Sequence, residues 1–192
     1  MLSARTLLVS SVVSLFAATS ALAADAHYTL DPAKSTLEYQ FTQAGAQNKG
    51  KFTKYTVTLD VTGDTPSKLD VVVEMNSLDT GDKERDDTLK SADLFDVAKF
   101  PKARFVATKI TLAGAGRYEA QGKLTIRNVT KDLKLPITFQ TKDEKGKAVG
   151  YMTGRATIKR LEYGVGQGDW KSTEWVKDDV LVTFSLKLLP AT

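Results

Sequence analysis

Few residues in this chain are equipped for covalent or acid–base chemistry, and their placement narrows what it can do. Carboxylates stand as two adjacent pairs, Asp86-Asp87 and Asp178-Asp179, and paired carboxylates are one arrangement that can perform general acid–base catalysis. Adjacent residues on a helix or strand point in different directions, however, so neither pair reads as a cooperating acid and base. No recognisable second group stands beside either. The chain has one histidine, His27, and no cysteine, which removes the usual parts of zinc and copper sites, cysteine nucleophiles and most histidine proton relays. Catalysis, a metal and a cofactor are therefore not expected, and His27 reads as a surface residue.

The charges do not point to a polymer partner. There are 27 Lys and Arg against 23 Asp and Glu, scattered through alternating segments without a basic run or interleaved aromatics, so nucleic acid is not an expected partner. Residues 1–23 read as a signal peptide: Arg5 supplies a basic start, Thr6 to Ala18 an apolar run, and Ala21-Leu22-Ala23 a small-x-small cleavage signal. The apolar run is shorter than the ~20 residues a spanning helix needs, and Ser11 and Ser14 interrupt it. The expectation is a periplasmic chain of one domain, 24–192, that does not span a membrane after processing. An exported chain without cysteine has no disulfides, so a well-filled or ligand-filled core must supply its stability.

The stretch Asp79 to Pro101 is where the strand pattern breaks. Asp82 is a candidate N-cap and Glu84 adds acidity to the first turn, so a short helix should begin near Lys83. Leu94 and Phe95 form an apolar plug before Phe100-Pro101 returns the chain to extended conformation. On a crossing connection such a plug sits against the end of a β-structure, either as a lid over a core or as the gate of a ligand cavity.

Elsewhere the sequence alternates. Leu37, Tyr39 and Phe41 share one face. Tyr55, Val57, Leu59 and Val61 share the next, with Phe52 one residue out of phase, which a bulge near Thr53 and Lys54 would repair. Leu69, Val71, Val73 and Met75 complete an antiparallel meander. In Ala103 to Leu112 the facing stays open, because Phe105 and Ala107 compete with Val106 and Ile110. Tyr118, Ala120, Gly122, Leu124 and Ile126 alternate cleanly up to a turn at Asn128, where asparagine tolerates positive φ. Leu133, Leu135, Ile137 and Phe139 follow, with Pro136 on the opposite face marking an edge, a bulge or an open ladder. Gly150, Met152, Gly154, Ala156 and Ile158 make a small-residue face that either lets backbones approach or leaves volume inside. A Gly-rich loop with Trp170 and Trp175 leads to a last strand carrying Val180, Val182, Phe184, Leu186 and Leu188. About eight one-sided antiparallel strands must stack or close, and closure into a barrel removes both edges. Long strands favour the barrel, which at eight strands either fills with side chains or holds one small ligand. An outer-membrane barrel would need an outward apolar band and aromatic girdles, and the long polar faces oppose it.

Several stretches in fixed order resemble the YceI-like family of exported polyisoprenoid-binding proteins. They are Tyr28-Thr29-Leu30-Asp31-Pro32-Ala33-Lys34-Ser35, Ser77-Leu78-Asp79-Thr80-Gly81, Arg85-Asp86 with Leu89-Lys90-Ser91, Leu94-Phe95-Asp96-Val97, Lys99-Phe100-Pro101, Gly122-Lys123-Leu124-Thr125-Ile126 with Val129-Thr130-Lys131, and Arg160-Leu161-Glu162-Tyr163-Gly164. The resemblance spans nearly all of the mature chain. It departs at Thr88, where a histidine is common, and at Asn128, where glycine is usual; the first puts a head-group role there in doubt.

The resemblance implies an all-β, eight-stranded antiparallel, lipocalin-like barrel with one short helix in a crossing connection. It also implies binding of a long isoprenoid or similar amphiphile, a quinone or a polyprenyl phosphate, without catalysis. Such a tail needs an apolar tunnel. The expected lining is Tyr39, Phe41, Leu59, Val73, Met75, Leu94, Phe95, Tyr118, Ile126, Ile137, Phe139, Met152 and Phe184. Arg85, Arg155 and Arg160 are the head-group candidates, weighed against structural ion pairing such as Arg85 with Asp79 or Asp96. The other readings are a stress-related binding protein or chaperone with a filled barrel, and an enzyme. A homodimer stays open.

Overall fold

One face of nearly every strand is apolar, and the structure turns that face inward. The computed structural model describes residues 25–191, so the signal peptide expected at 1–23 lies outside the described residues. Its strands are β1 (Ala26–Leu30), β2 (Thr36–Gln43), β3 (Ala46–Phe52), β4 (Tyr55–Thr62), β5 (Thr65–Glu74), β6 (Leu78–Asp79), β7 (Lys102–Gly114), β8 (Arg117–Ile126), β9 (Val129–Glu144), β10 (Lys147–Lys159) and β11 (Asp179–Pro190). One α-helix, α1 (Lys83–Lys90), crosses between β6 and β7, and the Asp82 carboxylate caps it by accepting from the Arg85 amide. No helix among the described residues is long and apolar enough to cross a membrane.

Eleven strands occupy eight positions in an antiparallel barrel. β1 closes the ring by pairing with β4 on one side and with the end of β11 on the other, where Tyr28 faces Pro190. β1 and β2 share one position, as do β3 and β4, and β5 and β6, each kinked midway. The first kink has a local cause: Pro32 opens a short 3-10 turn, the Asp31 carboxylate accepts from the Ala33 amide, and the Ser35 hydroxyl donates to the Asp31 carbonyl. The second kink corrects the sequence reading. Thr53 and Lys54 are a break between two strands rather than a bulge within one, so Phe52 belongs to a strand paired with β2 and β6, whereas Tyr55 begins one paired with β1 and β5.

The strand whose facing was ambiguous changes phase. A bulge at Ala107 to Lys109 lets Ala103, Phe105 and Ala107 point inward and then brings Ile110 against the same core. At the β8–β9 turn the left-handed residue is Arg127 (φ 53), not Asn128.

The end of the barrel bearing the β4–β5, β7–β8 and β9–β10 turns is packed shut. Leu59, Leu69, Met152 and Leu188 are fully buried there or just above, and Tyr28 meets Phe139 edge to face at 6.0 Å. Gly150 and Gly154 do not leave volume inside, contrary to one of the alternatives above. Phe139 occupies the space a side chain at Gly150 would take, and Phe184 that of Gly154.

Candidate functional site

The opposite half of the barrel is hollow because its hydrogen-bonded wall opens there. Pairing between β9 and β10 runs from Lys147–Glu144 only as far as Gly154–Ile137, next to Pro136, which has no N–H to continue it. Beyond that point Leu133 and Leu135 of β9 and Ala156 and Ile158 of β10 face a shared cavity rather than each other's backbone. On the other side, breaks at Thr53-Lys54 and at Met75 to Ser77 separate β3 from β4 and β5 from β6. The result is a single-ended cup of about 740 Å³, inside the ~300–1,000 Å³ range of ligand sites. Val57, Leu69, Met152 and Leu186 line it deep down, while Tyr39, Phe41, Leu94, Phe95 and Trp170 line it higher up. Its rim is polar and partly exposed, formed by the β2–β3 hairpin (Gln43, Ala44, Ala46, Asn48) and by α1 with its cap (Asp82, Glu84, Arg85, Thr88).

Of the expected lining, Tyr39, Phe41, Val73, Met75, Leu94, Phe95, Ile126, Met152 and Phe184 border this cavity. Leu59, Tyr118, Ile137 and Phe139 do not. They belong to the cluster that fills the closed end, because the alternation that points them inward carries no information about height along the axis. Leu94 is buried at 4% exposure, whereas Phe95 is only half-buried, packed beneath the crossing segment with one side toward the cavity.

The arginines separate into three roles. Arg155 is exposed on the outer face of β10, since it alternates with the inward Gly154 and Ala156, and it has no part in the cavity. Arg160 is 5% exposed and borders the cavity, yet all five of its N–H donors are spent on main-chain carbonyls. Nε donates to Lys177, Nη1 to Val165 and Trp170, and Nη2 to Ser172 and Val176. It holds the β10–β11 loop in shape and has no donor left for a head group; burial pulls its pKa down, and Asp178 partly opposes that. Only Arg85 remains as a head-group candidate, half-buried at the rim and 3.9 Å from Asp82 rather than paired with Asp79 or Asp96.

Asp96 has two other partners, which the sequence reading missed. It is buried at 6% exposure in a left-handed conformation (φ 47), with Lys99 at 3.4 Å and Arg127 at 3.8 Å. Arg127 also donates to the carbonyls of Leu94 (2.7 Å) and Gly164 (2.6 Å) and lies over the Phe100 ring. This side chain fastens the Leu94-Phe95 plug to the β8–β9 turn and to the β10–β11 loop.

The carboxylate pairs serve local structure. Asp86 accepts from the amide and hydroxyl of Thr80, and Asp87 pairs with Lys83. Asp178 accepts from the Leu161 amide, and Asp179 pairs with Lys159. His27 is exposed and meets Asp60. Further lining residues, among them Leu37, Phe52, Tyr55, Leu124 and Val182, were legible as inward-facing positions but not as cavity wall.

Comparison with known proteins agrees with this architecture. Residues 28–188 match the model of the YceI-like domain. A UPF0312 protein of Pectobacterium carotovorum subsp. carotovorum is 31% identical over 167 residues, 84% of this chain and 86% of its own. Among solved structures, Burkholderia cenocepacia BcnA superposes with a TM-score of 0.77 at 30% identity, covering 85% of this chain and 99% of that one. A polyisoprenoid binding domain from Saccharophagus degradans superposes with a TM-score of 0.69 over 85% of this chain and 98% of its own; at 16% identity it speaks to the fold alone.

Proposed function

The chain belongs to the YceI-like family, and from that premise we propose that it is an exported periplasmic carrier holding one long-chain isoprenoid or similar amphiphilic lipid in the open half of its barrel. The observation that carries this reading is the cavity itself. An apolar cup of about 740 Å³ is several times larger than the ~150 Å³ voids that stay dry in protein cores, and left empty it forfeits the dispersion contacts of its lining. A flexible apolar tail restores them. The polar rim suits the exposed end of such a molecule, and Arg85 is the rim cation available to it. A binding role is supported by the two adjacent carboxylate pairs, whose members Asp86, Asp87, Asp178 and Asp179 hold a turn, a helix and a strand pair. Export rests on the leader at 1–23 read from the sequence.

The test is to recover the protein from a cell-envelope fraction, measure its mass, and analyse an organic extract by mass spectrometry. A chain starting near Ala24 with a stoichiometric prenyl or long-chain lipid is expected. A chain retaining Met1 would overturn the export reading, and a lipid-free extract would overturn the carrier.

A further inference from the structure

Trp175 stands 55% exposed beside the mouth of the cavity, and its backbone is fixed there. The Ala44 amide donates to its carbonyl at 2.8 Å, Gln43 and Val176 pair across an isolated bridge, and the Lys177 amide donates to the Thr42 carbonyl at 2.9 Å, so the segment is stitched to the tip of the β2–β3 hairpin. Arg160 holds it from within, donating to the Val176 carbonyl at 2.8 Å. Val176 is buried and borders the cavity, as Ala44 does at the rim, while the tryptophan between these two anchors faces solvent. A single exposed apolar side chain is ordinary on a protein surface, and Leu112 and Leu189 are such cases. Trp175 is different because of what stands next to it.

The hairpin tip keeps an apolar residue where a polar one is favoured. Ala44 and Gly45 both have positive φ (50 and 78), and at the first position of such a turn asparagine or aspartate fits better than alanine. The turn Lys145-Gly146 at the closed end has the same pair of left-handed residues (φ 56 and 78) and carries a charge at that position. At the mouth the chain holds a methyl group instead, with Ala46 exposed beside it and no charged residue anywhere in 42–48. Trp175, Ala44 and Ala46 therefore make one rigid, uncharged projection on a rim that α1 completes with charged residues. The exposed charges flanking it in sequence, Lys49, Lys171 and Lys177 against Asp169 and Glu174, nearly balance.

We infer that this projection is the surface by which the protein meets a lipid bilayer, Trp175 seating at headgroup level with the Ala44–Ala46 tip beside it, so that the cavity mouth opens onto the membrane. This rests on the carrier reading above and adds to it the surface on which the carrier loads. An indole suits that depth, being apolar across its ring and polar at its N–H. One indole of ~150–250 Å² and an Ala-Gly-Ala tip fall short of the ~800 Å² that each partner gives to a stable protein interface. The balance of charge favours apolar insertion into a zwitterionic surface over attraction to an anionic one.

The test mixes delipidated mature protein with vesicles of phosphatidylcholine, alone or with phosphatidylglycerol. It follows co-flotation, quenching of tryptophan emission by phosphatidylcholine brominated on its acyl chains, and the rate of tetraprenyl quinone transfer between donor and acceptor vesicles. The parent is compared with Trp175→Ser, Ala44→Asp and, as a control at the closed end, Leu112→Ser. All should melt close to the parent, since the altered side chains are exposed and aspartate tolerates the φ of Ala44. The parent should float with phosphatidylcholine alone, in low and high salt alike. Trp175→Ser should weaken flotation about 10- to 100-fold, the size expected when the exposed half of an indole leaves water, and should lose most of the quenching. It should slow transfer by a similar factor yet keep the rise in melting temperature that the quinone causes without vesicles. Ala44→Asp should weaken flotation in the same direction, and Leu112→Ser should match the parent throughout. If Trp175→Ser floats and transfers as the parent does, or if binding requires phosphatidylglycerol and vanishes in salt, the contact is overturned. If the quinone raises the melt but the parent never floats, the contact is overturned while the carrier stands, loading then requiring a partner protein. If the parent floats through Trp175 and the quinone leaves its melt unchanged, the carrier falls and the membrane contact stands.

Discussion

Replacing Arg160 by methionine removes a guanidinium that donates to five carbonyls, and the cost can be worked from the geometry. Four of the bonds are well formed, at 2.7, 2.8, 2.9 and 3.1 Å, and the fifth is long at 3.4 Å. A hydrogen bond from a charged donor contributes ~1.5–3 kcal/mol, but the four share one ion whose burial is itself costly, so their contributions do not add. Each carbonyl left buried without a donor costs ~1–3 kcal/mol, partly offset by relief of the buried charge, and a net loss of roughly 2–4 kcal/mol for a chain of this size moves the melting temperature by about 4–16 °C. Methionine roughly keeps the volume, so the loss is of bonding more than of packing. Arg160→Lys should fall between the two, because a single ammonium can reach only some of carbonyls spread from Val165 to Lys177. Urea and thermal denaturation of the parent and both variants measure this. An Arg160→Met protein melting within about 2 °C of the parent would show that the β10–β11 loop is held by something else and that the guanidinium is free for another role.

Leu94→Ala should destabilise by ~2–4 kcal/mol in urea denaturation, the usual cost of a buried leucine, whereas Phe95→Ala should cost less stability and instead speed release of a bound lipid, since Phe95 is half-buried against the cavity. Asp70, on the outer face of β5, takes hydrogen bonds from Arg104, at 3.0 Å from Nε, which hold its carboxyl below the usual range. Its contribution is therefore complete above its ordinary pKa and is lost as pH falls through the depressed one. Asp70→Asn should flatten the fall in stability below about pH 4, and an unchanged acid limb in pH-dependent unfolding would contradict this.

What the sequence made legible was facing. Two-residue alternation identified Tyr39, Val73, Met152 and Phe184 as inward, and the Asp82 cap located α1 to the residue. Height along the barrel axis was not legible, because Leu59 and Val73 obey the same alternation yet one fills the closed end and the other borders the cavity. Height depends on where ladders open, and Pro136 was the one local sign of that. Phase breaks were visible but ambiguous: the slip at Phe52 and the competing faces of β7 looked alike, yet one is a strand break and the other a bulge. The arginines resisted reading most. Arg155, Arg160 and Arg127 differ in role through backbone carbonyls brought from distant loops, and no spacing encodes those. Trp170 and Trp175 were legible as loop aromatics, but that one borders the cavity and the other faces solvent is a property only of the folded mouth.

The most direct test of the central claim is the melting temperature of delipidated protein with and without a tetraprenyl quinone. A ligand that fills the cup and is absent from the unfolded chain stabilises by ~2.7 kcal/mol at a hundredfold excess over its dissociation constant, a rise of about 5–11 °C. A saturable rise of that size, abolished when the tail is removed from the quinone, is the expected result. An unchanged melt across the whole titration would mean that the open half of the barrel does not take a lipid tail.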